Sequence, residues 1–549
     1  MNRSRTPSAS LAQRALLALL LAPMLAAVPA PASGSSVELV KWDVEPVSKS
    51  LPTDVVAWTA APGERNELTV TLTADTVLLR DPAAPIAAGR GCAALPGGMV
   101  SCRRGYLALT AGDGDDTLVV AAGQSITIAG VAAGEGDDSV RLVGPVGIGD
   151  VVTTGIAHEL DGGAGDDLLA LGDAAARADG GDGDDTIVGS RDADHLGGGA
   201  GDDEVTGGDG DDDLTGGEGA DALDGGSGAD ELDAGDPLGQ FFGFTDGAPN
   251  RLLGGPGRDR LASDGGDDAI DGGAGRDAVT YDARLRPVTV DLAAGRGGAA
   301  RERDTLESVE DAEGGYNADT LIGDDGPNRL DGGPADASAL PTHVQDSLVE
   351  DLGRGDVLRG GDGDDSLLGG VALERPGRLL GEGGGDLIAW NGASRVSGGP
   401  GDDRLRGTID PRHSAAPLAC DAGDDVVSAP NARDTIAADC EQIDVGGVVV
   451  RGRRFGLRAL TLSAARAGGD YVRACGIAAR LTGAGPARRP LAALVARTPR
   501  GSLHPLRLRA ARPLGPRVRV VLRPADCPRR GAAAQPRADG PVSSFLLRR

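Results

Sequence analysis

From Gly180 the chain alternates a polar, glycine-rich half with a short half in which one aliphatic residue stands between two variable ones, at a fixed spacing of nine. The units read GGDGDDTIV, GSRDADHLG, GGAGDDEVT, GGDGDDDLT, GGEGADALD and GGSGADELD. The eighth place is always aliphatic: Ile187, Leu196, Val205, Leu214, Leu223 and Leu232. The sixth is always aspartate: Asp185, Asp194, Asp203, Asp212, Asp221 and Asp230. The last three residues of each unit predict a very short strand with its aliphatic side chain turned inward, and the glycine half predicts a sharp turn. Such a strand cannot stand alone, but stacked copies pair their backbones and align their aliphatic residues. The expected fold class is therefore all-β, a solenoid of glycine- and aspartate-rich nonapeptides.

The same frame returns on both sides. Upstream it gives AGDGDDTLV from Ala111, AGEGDDSVR from Ala133 and GGAGDDLLA from Gly162. Downstream come GGPGRDRLA from Gly254, SDGGDDAID from Ser263, GGAGRDAVT from Gly272, GGYNADTLI from Gly314, GGDGDDSLL from Gly360, GEGGGDLIA from Gly381 and GGPGDDRLR from Gly398. A weaker copy, GDDGPNRLD at Gly323, has Asn328 in the aspartate place. Two insertions read as structural interruptions: residues 237–250, with three of the five phenylalanines, and residues 280–311, which begin as an alternating strand around Val288, Val290 and Leu292. Alternating runs in VELVKW, LTVTL and TVLLRD predict a small β module over residues 33–110 that caps the first coil. After Cys440, runs such as VRGRRFGLRALTLS, LRLRA and PRVRVVLRP predict a second small β domain with arginine on its wet face. The expected division is 1–32 signal segment, 33–110 N-terminal module, 111–440 repeat roll with insertions, and 441–549 basic domain and tail.

Composition changes this picture in one respect. With 90 glycines, 2% aromatic residues and a formal charge of -29, the chain has the signature of disorder unless something supplies cohesion. Between Gly180 and Asp233, 15 Asp and 3 Glu face a single Arg, a net of -17. One buried aliphatic side chain per nine ordered residues does not offset their lost entropy, and the aligned carboxylates repel. A hard multivalent cation meets that need. Calcium takes six to eight oxygen ligands and accepts a mixture of carboxylates and backbone carbonyls, whereas magnesium demands tighter octahedral geometry. No thiolate or histidine cluster competes for a softer metal, and His195, in a seventh place, reads as a solvent-facing substitution. Beyond Val450 the balance reverses, with 22 Arg against 3 Asp.

The first 32 residues, with Arg3, Arg5 and Arg14 before ALLALLLAPMLAAV and Ala30-Pro31-Ala32 behind it, read as a secretory signal peptide. No later stretch is apolar for long enough to span a membrane as a helix. Six cysteines allow fifteen pairings. The expectation is nearest-neighbour pairing in three regions: Cys92 with Cys102, Cys420 with Cys440, and Cys475 with Cys527.

The nonapeptides resemble the hemolysin-type calcium-binding, or RTX, repeats, whose pattern is G-G-x-G-x-D-x-(aliphatic)-x. The region before them resembles the leader of secreted actinobacterial repeat proteins. The resemblance implies a parallel β-roll with two nonapeptides per turn and Ca(2+) held at multiple sites between successive turns on both edges. It implies metal ligands at Asp185, Asp194, Asp203, Asp212, Asp221 and Asp230. In less regular coils it implies Asp116, Asp138, Asp167, Asp259, Asp268, Asp277, Asp319, Asp365 and Asp403.

Catalytic signatures are absent from the sequence. His158-Glu159 opens like H-E-x-x-H, but Gly162 stands where the second histidine belongs; there is no G-x-S-x-G elbow and no P-loop. Without interleaved aromatics or a zinc-finger, helix-turn-helix or RNA-binding signature, nucleic acid is not an expected partner. The leading reading is a secreted calcium-binding protein whose repeat region becomes a rod on binding calcium. The alternatives are a cell-surface adhesin or envelope-binding protein, its arginines meeting an anionic cell-wall polymer or other extracellular surface, and then an extracellular hydrolase. Oligomeric state is left open.

Overall fold

The computed structural model describes residues 34–41, 54–73, 75–122, 126–144, 146–147, 160–173, 177–235, 247–282, 284, 286–316, 319–333, 356–372, 377–392, 395–407, 417–428, 435–436, 440, 442–445 and 448–451, and the backbone of six further strands between residues 459 and 548. The signal segment, residues 237–246 of the first insertion, His158, Glu159, Cys475 and Cys527 lie outside them, as do the side chains of the basic domain. The chain divides into two units, residues 1–236 with 245–277, and residues 237–244 with 278–549.

In the first unit each nonapeptide contributes a strand to one of two parallel sheets, and consecutive units alternate between them. Arg177–Asp182, His195–Ala200, Asp213–Glu218 and Glu231–Gly235 stack in one sheet. Thr186–Val188, Glu204–Asp209 and Ala222–Ser227 stack in the other. Two nonapeptides therefore make one coil, and partners are 18 residues apart: Leu196 faces Leu214, which faces Leu232, and Ile187 faces Val205, which faces Leu223. All six are buried, so the eighth places form the narrow core between the sheets. This is the β-roll expected from the repeat.

Both sheets continue toward the amino end. Asp54–Thr59 pairs in parallel with Tyr106–Asp113, and Glu67–Leu72 with Thr117–Ala122. Antiparallel strands close that end: Ser36–Lys41 on Asp54–Thr59, and Thr76–Arg80 between Glu67–Leu72 and Met99–Arg103. A disulfide between Cys92 and Cys102 ties the adjoining hairpin.

The second unit repeats the architecture with less regular coils. Ser366–Ala372, Leu387–Gly392, Arg404–Gly407 and Val426–Ser428 form one parallel stack. Val357–Asp362, Arg378–Gly383, Arg395–Pro400 and Pro417–Ala422 form the other. The insertion after Thr280 carries the expected strand, Thr289–Asp291, with Val288 and Val290 buried. It is held from within by Tyr281 Oη–H donating to Asp304 Oδ2 (2.7 Å) and by an Arg284–Glu302 ion pair. Cys420 and Cys440 are bonded as expected. Beyond them, Gln442–Val445 still pairs in parallel with Val426–Ser428, and further on antiparallel pairing dominates, Gly476–Gly483 lying between Pro490–Arg497 and Arg517–Ala525.

Candidate metal centre

The turn GGDGDD places its chemistry by backbone geometry. Gly181 and Gly183 adopt φ of 116° and 142°, and a Cβ on Gly181 would lie 2.0 Å from the Gly163 carbonyl oxygen of the coil before. Glycine accepts this conformation and this close an approach of coils without strain. The first glycine of the unit forms a cradle. A Cβ on Gly180 would sit 2.2 Å from Asp185 Oδ2 and 2.5 Å from the carbonyl oxygen of Gly198, one coil on. The same pair of oxygens surrounds Gly162 (Asp167 and Gly180, both 2.4 Å), Gly216 (Asp221 and Ala234, 2.3 and 2.5 Å) and Gly360 (Asp365 and Gly381, 2.2 and 2.5 Å).

The sixth-place carboxylates form a ladder along each edge. On one edge of the first unit, the backbone N–H of Asp116 donates to Asp138 Oδ1, Asp138 to Asp167, Asp167 to Asp185, Asp185 to Asp203, and Asp203 to Asp221, at 2.7–3.0 Å. The ladder runs on through Asn250 to Asp268. On the other edge Asp194 donates to Asp212, Asp212 to Asp230, Asp230 to Asp259, and Asp259 to Asp277. In the second unit Asn328, Asp365, Asp386, Asp403 and Asp425 form one ladder, and Val288, Asp319 and Asp356 a shorter one. The structure thus gathers all fifteen expected positions into these ladders.

The ladder uses one oxygen of each carboxylate. Oδ2 of Asp116, Asp138, Asp167, Asp185, Asp203, Asp212, Asp230, Asp259, Asp386 and Asp403 is buried and accepts no hydrogen bond. A buried carboxylate oxygen without a donor is costly. Its effect is visible in proton affinity: desolvation by burial raises Asp116, Asp138, Asp185, Asp212 and Asp259 to about 6, Asp167, Asp203 and Asp386 to about 7, and Asp319 to about 8. Neighbouring carboxylates push in the same direction, and the ladder hydrogen bonds oppose it. Three positions differ, because Oδ2 takes a local donor: Ser190 N–H at Asp194 (2.7 Å), Ser263 Oγ–H at Asp268 (2.8 Å) and Gly315 N–H at Asp319 (2.9 Å).

A second, exposed ladder runs the opposite way through the fifth places, with Asp184 N–H on Asp166 Oδ1, Asp202 on Asp184, and Ala220 on Asp202. His195 lies on the outer sheet face, exposed and paired with Asp213 (Nδ1 to Oδ2, 2.9 Å), as its seventh place implies. Asp386, Asp425 and Asp356 join the ladders without having been singled out in the sequence. Their frames, GEGGGD, CDAGDD and DLGRGD, carry the sixth-place signal in degraded form.

The ligand atoms at the Gly162, Gly180, Gly216 and Gly360 cradles are oxygens, one carboxylate and one backbone carbonyl at each, which fits calcium and gives nothing to a soft metal. Among the described residues, no three histidine, cysteine, aspartate or glutamate side chains gather at one point. A cation between coils would therefore be held largely by carbonyls.

Fold and edge chemistry together define a parallel β-roll with oxygen-lined turns. Comparison with known families assigns the repeat: the RTX calcium-binding nonapeptide repeat (4 copies) matches residues 179–214, 206–236, 244–279, 313–336, 352–371 and 380–410, and these segments are RTX-type repeats. No curated protein matches the chain.

Proposed function

We propose that this protein binds several calcium ions along the edges of its rolls, and that binding converts an expanded acidic chain into a stiff rod. The observation that carries this reading is the row of buried Oδ2 atoms without donors, those of Asp167, Asp185, Asp212, Asp230, Asp259 and Asp386 sharing a cradle with a carbonyl of the next coil. When bound, calcium supplies the positive charge and oxygen affinity that these atoms lack. Asp185, Asp203, Asp212, Asp230, Asp386 and Asp403 are the principal side-chain ligands. Because the coils form only when the charges are neutralised, binding free energy becomes folding free energy. The two disulfides and the amino-terminal signal-like segment support action outside the cell, where calcium is plentiful. Calcium titration of the full chain, followed by calorimetry and far-ultraviolet circular dichroism, tests the reading. Cooperative gain of strand signal with several ions bound is expected, and a strand signal indifferent to calcium and chelator would refute it.

A second reading, attachment to an anionic envelope polymer, rests on the 22 arginines beyond Val450. Retention of the full chain on purified polymer, lost in high salt, tests it.

A further inference from the structure

The amino-terminal module contains a coil that its sequence conceals. Ala61-Pro62-Gly63-Glu64-Arg65-Asn66-Glu67-Leu68-Thr69 has no paired glycines and no aspartate, and the family match begins only at residue 179. The strand register nevertheless makes it a nonapeptide. Glu67 faces Thr117 and Leu68 faces Leu118, while Val55 to Thr59 face Tyr106 to Thr110. Asn66 N–H donates to Asp116 Oδ1 (2.6 Å), the rung that Asp116 in turn makes to Asp138 (2.7 Å). Thr117 N–H donates to Asn66 O as Ser139 N–H does to Asp116 O, both at 2.9 Å.

The chemistry across this interface is reversed. At the interface two coils on, aspartate faces aspartate in both the fifth and sixth places, as Asp137 and Asp138 face Asp166 and Asp167. Here the fifth place is Arg65, which pairs with Asp115 (3.7 Å), and the sixth is Asn66, whose Nδ2–H donates to Asp116 Oδ1 (3.2 Å) and to Glu64 O (3.3 Å). Gly63 N–H adds a bond to Asp113 Oδ1 (2.6 Å). The Arg65 pair is exposed and contributes little. Asn66 is fully buried, and its remaining oxygen accepts no hydrogen bond but is neutral. No carboxylate of the first coil opposes one of the second.

We propose that residues 54–72 form a first coil with a neutral amide in place of the ladder carboxylate, which holds the adjacent acidic coil in register without a divalent ion. The amide of Asn66 does at this interface what the cation does at the others, and it gives ion-driven coil formation a preformed surface to extend. The inference deepens the calcium reading and rests on it only for the contrast with later coils.

Hydrogen exchange of the full chain in chelator, read by peptide, tests it. Amides of residues 54–72 and 106–122 should exchange at least about tenfold more slowly than those of residues 186–232. Asn66→Asp should abolish that protection in chelator, and calcium should restore it; a variant that had merely lost its packing would not recover. Exchange of residues 54–72 in chelator as fast as that of residues 186–232 would overturn the proposal. So would an Asn66→Asp variant unchanged in chelator, or one not rescued by calcium. Were residues 186–232 also protected in chelator, the calcium reading would fail, and the Asn66→Asp comparison would still decide this one.

Discussion

The coils of residues 177–235 and those of residues 356–428 are built from the same turn, yet they carry it differently. In the first region the turn occurs on both edges, with aspartates 18 residues apart along each ladder. In the second, the described residues after Asp356 carry it on one edge. Asp365, Asp386, Asp403 and Asp425 are 21, 17 and 22 residues apart, and the sequence between these turns, ALERPGR, NGASR and GTIDPRHSAAP, lacks the glycine-aspartate motif. The core is unaffected by this change: Leu358, Leu367, Leu379, Ile388, Val396 and Leu405 are as buried as Ile187 and Leu214. Aliphatic stacking therefore sets which strands pair, and under the calcium proposal the acidic turn sets how strongly an edge depends on a cation. The one-edged region also has a covalent substitute, because Cys420 takes the first place of its last nonapeptide and is bonded to Cys440.

Removing calcium should separate the two regions most sharply. Each bound ion contributes about 2.7 kcal/mol when free calcium is about 100-fold above its Kd. Stripping several sites thus removes an amount comparable with the roughly 5–15 kcal/mol that holds a typical domain. Hydrogen exchange in chelator should show residues 177–235 unprotected and residues 356–428 partly protected; equal loss would erase the contrast.

Reduction of Cys420–Cys440 should act in the other direction. A bridge closing a loop of this size contributes about 3 kcal/mol. Limited proteolysis under reducing conditions should open residues 356–428 and leave residues 177–235 intact in calcium.

Within the regular coils, Asp203→Ala removes a carboxylate and the acceptor for Asp185 N–H. It should cost about 2–4 kcal/mol in calcium. Asp202→Ala, one residue away and exposed, should stay within about 0.5 kcal/mol. Thermal melting of the two variants measures the difference, and similar losses would mean that the two ladders contribute alike.

The metal-free state should also respond to pH. Burial raises the folded-state pKa of Asp185 to about 6 and of Asp203 to about 7, above the ordinary value of 3.8. Protons therefore favour the metal-free roll. That stability is fully present below the unfolded value and is lost as pH rises through 6 to 7. Circular dichroism without metal should show more strand at pH 4.5 than at pH 8. In calcium the dependence should reverse, because protons then compete with the ion.

Much of this arrangement is legible in the sequence, since a nine-residue period fixes both the inward aliphatic and the sixth-place carboxylate. Ile187 through Leu232 lie in the core as their spacing requires. The period does not reveal what each carboxylate meets. Asp194, Asp268 and Asp319 find local donors because Ser190, Ser263 and Gly315 are placed to supply them, which depends on turn conformation. Asn66 is hidden for a related reason: with proline, arginine and asparagine in the turn, only strand pairing shows that APGERNELT is a coil.

A crystal structure grown with calcium and phased for its anomalous signal tests the central claim most directly. An anomalous peak bonded to Asp203 Oδ2 and to backbone carbonyls of the neighbouring turn is expected, repeated along both edges of residues 177–235. A folded roll whose Oδ2 atoms meet water or protons, with no such peak, would contradict it.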